Sequence, residues 1–260
     1  MPASSAEPPV AVTEAPSALD PSLFADNPAR DSRFVVKDRW IEMFNTPSGH
    51  PLHEVEFTHR QMNEEMNGLE CSARALSDFP DTDWDTRMKM ARQCADEVRH
   101  VRMFRRLLHR LGGYVGQFPV MNFQYRIITK SPTLVGRLTI QNRTFEAGGL
   151  DAVSAVVDQM RGRGDEELML FFDSQLADEI LHVRFANEYI RQRVREDPRT
   201  VLRIGAAMTQ AAKAFRQVMG TQGTEGVLYA IDERARREAG FTAEEVAMAV
   251  QAAKPATSQV

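Results

Sequence analysis

The stretch ADEVRHVR at residues 95–102 returns as ADEILHVR at residues 177–184, identical at six of eight positions. Each copy sets a glutamate and a histidine three residues apart, Glu97 with His100 and Glu179 with His182. Residues three apart on an α-helix share a face, so each pair projects toward one point. A single Glu-x-x-His is most often a surface hydrogen bond, whereas two copies in matched surroundings point to two donor sets that face each other.

The duplication extends upstream. Glu65-Met66-Asn67-Gly68-Leu69-Glu70 and Glu146-Ala147-Gly148-Gly149-Leu150-Asp151 both fit Glu-x-x-Gly-Leu-acid, with Glu65 lying 32 residues before Glu97 and Glu146 lying 33 before Glu179. Such offsets suit a helical hairpin that brings its two glutamates to one level. Around these phrases apolar residues return every three or four positions, the helical period. The pattern predicts long helices from about Leu52 to Leu76, Trp84 to Leu111, Thr133 to Met160 and Glu166 to Val194. Short turns pair the first with the second and the third with the fourth, and the Pro-containing stretch 112–132 reads as one long crossover. The expected fold is all-α: a four-helix bundle over residues 31–197, opened by a short helix from Asp31 to Phe44. Two or three extra helices should fill 198–253, with breaks near Gly220, Gly223 and Gly240. Residues 1–30, rich in Ala, Pro and Ser, read as a disordered tail, and 254–260 as a second.

Composition narrows the function classes. With 32 Lys and Arg against 36 Asp and Glu, the net charge of −4 gives no general attraction to nucleic acid. No apolar run reaches membrane-spanning length. Cys71 and Cys94 are the only cysteines, outside any CxxC spacing, which suits a reducing cytoplasm and leaves a single bridge between them open.

Glu65, Glu97, Glu146 and Glu179 meeting His100 and His182 inside a bundle would be heavily penalised without counter-charge, and two metal ions supply it. Carboxylate and imidazole donors favour iron or manganese. Asp96 and Asp178, directly before the candidate ligand glutamates, read either as acceptors from the imidazoles or, equally, as plain ion-pair partners of Arg102 and Arg184. Gly68 and Gly149, three residues past a ligand glutamate, read as room beside the metals or as close packing between helices.

This ligand arrangement resembles the ferritin-like di-iron carboxylate superfamily over about residues 50–195. More narrowly, FP at 79–80, the two DExxH motifs, LGGYVG at 111–116 and EAGGLD at 146–151 look like an uncharacterised ferritin-like branch near the tRNA hydroxylases. Asn63 stands where that branch usually has a His. The resemblance implies metal ligation by Glu65, Glu97, His100, Glu146, Glu179 and His182, and a cofactor of two Fe ions, with Mn possible. It implies an O2-dependent oxidase or monooxygenase acting on a small organic substrate, with an external ferredoxin or reductase as electron donor and a homodimer as a superfamily habit. The rival readings are a ferroxidase or iron-storage protein, which would lack large additions to its bundle, and a di-manganese or mixed Mn/Fe oxidase.

Other residues read more simply. The stripe Arg99, Arg102, Arg106 and Arg110 is first a solvated, ion-paired face and second a site for an anionic substrate or acidic redox partner. Met62, Met66, Met88, Met90, Met103, Phe171 and Phe172 read as core, His59 as too far along its helix to be a seventh ligand, Tyr125 as packing, and Cys94 as a small inward hydrophobe.

Overall fold

The computed structural model describes residues 18–47, 49–161, 164–220 and 229–253. Nearly all regular structure among them is helical. Helix α1 (His53–Asp78) opens with Glu54 and Glu56 in its first turn, where carboxylates complement the helix dipole, and Pro80 follows its end. Helix α2 (Trp84–Arg110) is capped by the Asp83 side chain accepting from Thr86 N–H and closes at Gly112, whose φ of 79° is left-handed. The third long helix is composite: α4 (Leu134–Ile140) runs through a π-helical segment (Gln141–Glu146) into α5 (Ala147–Arg161). Helix α6 (Glu166–Glu196) starts at an Asp165 cap and stops before Pro198. Helices α1 and α2 form one hairpin, α5 and α6 the other, and α2 packs on α6. The crossover between hairpins carries strand β2 (Val120–Met121) and the short helix α3 (Phe123–Lys130).

Sequence periodicity could not see the π segment, nor what precedes α1. The expected helix at Asp31–Phe44 is instead strand β1 (Val36–Lys37), paired in parallel with β2, followed by a 3-10 turn at Trp40–Glu42. The β-branched Val35 and Val36 favour this, and Val120 N–H donates to Val35 C=O at 2.9 Å. Gly116 permits the crossing, since a Cβ there would stand 2.5 Å from Arg33 O. The tail reading also fails from residue 18 onward, because Leu19, Leu23 and Phe24 pack into an apolar cluster with Ile127, Ala214 and Val218. Residues 1–17 and 254–260, and Gly223, lie outside the described residues.

The added C-terminal helices are α7 (Thr200–Met219), α8 (Glu233–Glu238) and α9 (Ala243–Ala253). Helix α7 covers α3 and α4, while α8 lies on α5 and α6, tied by Arg236 to Asp151 at 2.6 Å. Two apolar layers fill the ends of the bundle. One holds Met62, Phe104, Leu108, Phe171 and Phe172, the other Ala75, Met90, Leu138, Phe185 and Ile190. Met88, expected inside, is 43% exposed. Between the layers, at the middle of α1, α2 and α6, lie the repeated phrases. No described helix is long and apolar enough to cross a membrane.

Candidate metal centre

The structure brings all six predicted ligands together in two groups. Donor atoms of Glu65, Glu97, His100 and Glu179 lie within 4.8 Å of one another, as do those of Glu97, Glu146 and His182. Glu97 belongs to both groups. Glu97, His100, Glu179 and His182 are each at least 95% buried.

The histidines are held by a reciprocal exchange. His100 on α2 bonds through Nε2 to Asp178 on α6 at 3.2 Å, and His182 on α6 bonds through Nε2 to Asp96 on α2 at 3.2 Å. Both Nδ1 atoms therefore face the carboxylates: His100 Nδ1 lies 3.2 Å from Glu65 and 3.3 Å from Glu97, and His182 Nδ1 lies 3.6 Å from Glu97 and 3.7 Å from Glu179. A carboxylate on one ring nitrogen fixes the ring's orientation and raises the basicity of the other, the usual support for a metal-bound imidazole. The expected ion-pair partners of the aspartates are corrected. Asp96 pairs with Arg92 and Arg99 at 3.3 Å, and Arg99 also reaches Asp178. Helix geometry explains this, because positions three and four away share a face, whereas Arg102 and Arg184 stand six residues on. Arg184 Nε donates to Glu238 C=O at 2.7 Å.

Burial, then the Glu179 and Glu65 charges, push the Glu97 carboxyl well above the usual range, and burial pushes Glu146 up to about 8. Burial alone would lower His182, but the hydrogen bond to Asp96 and the charges of Glu179 and Glu97 outweigh it and raise the imidazole to about 10. Burial would raise Glu65 too, yet the His100 hydrogen bond prevails and lowers it. Glu179 Oε2 and His182 Nδ1 are buried with no hydrogen-bond partner. Orphaned donor atoms of ligand type, turned toward shared carboxylates, fit a bound cation. The cluster could thus hold a metal ion, and its oxygen and nitrogen donors without thiolate suit a hard or borderline one. Cys94 is not a ligand: its thiol, raised to about 11 by burial, lies 3.9 Å from Leu69 O, and both cysteines are free.

Two residues that sequence reading missed complete the centre. Gln93 donates to Glu146, and Gln175 donates to Glu65 at 2.9 Å, each reaching from one hairpin to the other. They lie four residues before Glu97 and Glu179, so the repeat in fact begins at Gln93 and Gln175 as Gln-x-Ala-Asp-Glu. The glycines are not equivalent. A Cβ on Gly68 would stand 3.3 Å from the Glu97 carboxyl carbon, while one on Gly149 would meet nothing within 4 Å. Gly68→Ala is therefore expected to weaken metal binding about tenfold by shifting Glu97. Gly149→Ala should leave binding intact and add up to about 1 kcal/mol of stability. Metal titration and thermal melting of the two variants separate these outcomes, and equal effects would refute the distinction.

The remaining candidates take structural roles. His59 is fully buried, accepts Gly116 N–H at 2.9 Å, and is lowered to about 4 by burial. Asn63 donates to Met121 C=O at 2.9 Å, pinning the crossover. Arg110 pairs with Asp165 at 3.0 Å and Arg106 with Glu167 at 3.7 Å, as an ion-paired face requires. A cleft of about 290 Å³ lined by Lys89, Arg92, Leu181, Arg184 and Phe185 also touches His182, so a small molecule there would lie against that imidazole.

No curated protein and no solved structure matches the sequence. One family does, across residues 7–247 and so through both halves of the centre: the chain belongs to the family described as Protein of unknown function (DUF455).

Proposed function

We propose that the protein is a ferritin-like, non-haem di-iron oxidase or oxygenase that uses O2 to oxidise or hydroxylate a small organic molecule. The observation that carries this reading is the pair of donor groups sharing Glu97, each completed by a histidine whose Nδ1 faces inward. Glu65, Glu97, His100 and Glu179 would hold one ion, and Glu97, Glu146 and His182 the other. When bound, the irons supply redox chemistry that no side chain here provides. The chain's own residues supply the setting. Asp96 and Asp178 orient the imidazoles, Gln93 and Gln175 orient the lone glutamates, and the apolar layers above and below exclude water. Electrons for turnover would come from a separate ferredoxin or reductase.

The test is anaerobic Fe(II) loading followed by exposure to O2, with iron and O2 uptake counted per chain. Uptake that stops at two irons, with O2 consumption sustained only when a reductant is added, is the expected result. Continued uptake of many irons per chain, ending in mineral-like absorbance, would replace this reading with iron storage. Activity retained with Mn(II) and not with Fe(II) would move it to a manganese oxidase.

A further inference from the structure

The halves of the centre share a motif but differ in what surrounds their lone glutamates. Among the described residues one amide, that of Gln175, donates to Glu65, which also meets His100 Nδ1 at 3.2 Å and the Glu97 carboxyl. Glu146 is met by three amides. Gln93 and Gln141 both donate to Oε1, Gln141 at 3.1 Å, and Asn142 donates to Oε2 at 2.8 Å. The π segment causes the difference. Within it Gln141 and Asn142, five and four residues before Glu146, both reach its carboxylate, whereas Glu65 lies in regular α-helix. These amides are anchored in turn. Gln141 Nε2 also reaches Ser72 Oγ at 3.0 Å, and Asn142 Nδ2 reaches Gln93 Oε1 at 3.1 Å and His182 C=O at 3.2 Å.

A carboxylate offers about four lone pairs, and three amide nitrogens crowd those of Glu146. Glu65 is met by the Gln175 amide and so keeps more of its lone pairs open, and its group brings four donor residues together against three around Glu146. We infer that the two metal positions are inequivalent: the position bounded by Glu65, Glu97, His100 and Glu179 fills first and tightly, and the position bounded by Glu97, Glu146 and His182 fills second and keeps room for a small exogenous ligand. Gln93, Gln141 and Asn142 are the positioning residues that impose this order. The inference rests on the di-metal reading above and assigns its two halves different tasks.

Co(II) titration of the full chain tests it, followed by calorimetry and by the visible bands that report cobalt coordination. The wild type should bind two Co(II) ions in steps separated by about tenfold or more. His182→Ala should keep one Co(II) at the tighter wild-type affinity, and His100→Ala should lose the tighter step. Gln141→Leu should shift the second step by about tenfold and leave the first within about twofold. Azide should alter the bands only after the second equivalent has entered. Two indistinguishable steps, loss of the tighter step in His182→Ala, or a full azide response at one equivalent would overturn the order of filling while leaving the di-metal reading intact. Failure of the wild type to bind Co(II) would overturn both.

Discussion

Replacing Glu97 by glutamine should abolish tight metal binding at both positions and raise the melting temperature of the metal-free protein. Both effects follow from one placement. Glu97 is the single residue common to the two donor groups, so its loss removes an anionic donor from each ion at once. It is also 2% exposed, beside other buried carboxylates, and held far from its ordinary titration range by burial and by Glu179 and Glu65. An amide of nearly the same volume fits the space that Gly68 leaves and needs no proton to be neutral. A carboxyl held above its ordinary range must take up a proton on folding at neutral pH, and an amide that needs none stabilises by about 1–4 kcal/mol. The wild type should regain stability on adding Mn(II), about 2.7 kcal/mol at a hundredfold excess over Kd, whereas the variant should gain nothing. Thermal melts with and without Mn(II) decide it. A variant still stabilised by Mn(II) like the wild type would falsify the shared-ligand assignment.

The donors of this centre were legible because the chemistry was written twice in the chain. A duplicated Glu-x-x-His with a glutamate about 32 residues upstream constrains which helix faces meet, and the six residues do converge. Gln93 and Gln175 lay two residues beyond the phrase that drew attention, and extending the comparison would have found them. Other features were hidden for physical reasons. The pairing of Val36 with Val120 joins residues far apart in sequence, and local propensity cannot reveal a partner. The π segment carries ordinary residues, and the contacts that Gln141 and Asn142 make from it join positions far apart in sequence. The glycines show the limit of symmetry arguments. Gly68 and Gly149 occupy the same motif position, yet only at Gly68 would a Cβ meet the Glu97 carboxylate. Equivalent motifs fix the donors, and the packing around them is free to diverge.

In the metal-free protein, stability should fall as pH rises from about 5 to 9, and binding of divalent metal should release protons and remove that slope. The sign follows from where protons are held. Glu146 titrates at about 8 in the folded chain against 4.5 as its ordinary value, so between those limits the folded state binds a proton that the unfolded state has lost. His182 behaves alike, with about 10 folded against 6.5, its contribution complete below 6.5 and lost through 10. In both windows the folded state holds more protons, and stability therefore declines with rising pH, on the order of a few kcal/mol in all. Protons thus serve as the counter-charges of this carboxylate cluster until cations replace them. Metal must displace them from Glu146, from Glu97 and from His182 Nδ1, because ligand atoms bind deprotonated. Apparent affinity should accordingly rise with pH below 8, and the heat of Mn(II) binding at pH 7 should differ between phosphate and Tris buffers in proportion to the protons released. Buffer-independent heats would mean that the carboxylates and His182 already lack those protons, leaving a cluster of like charges with nothing to hold it together before metal arrives.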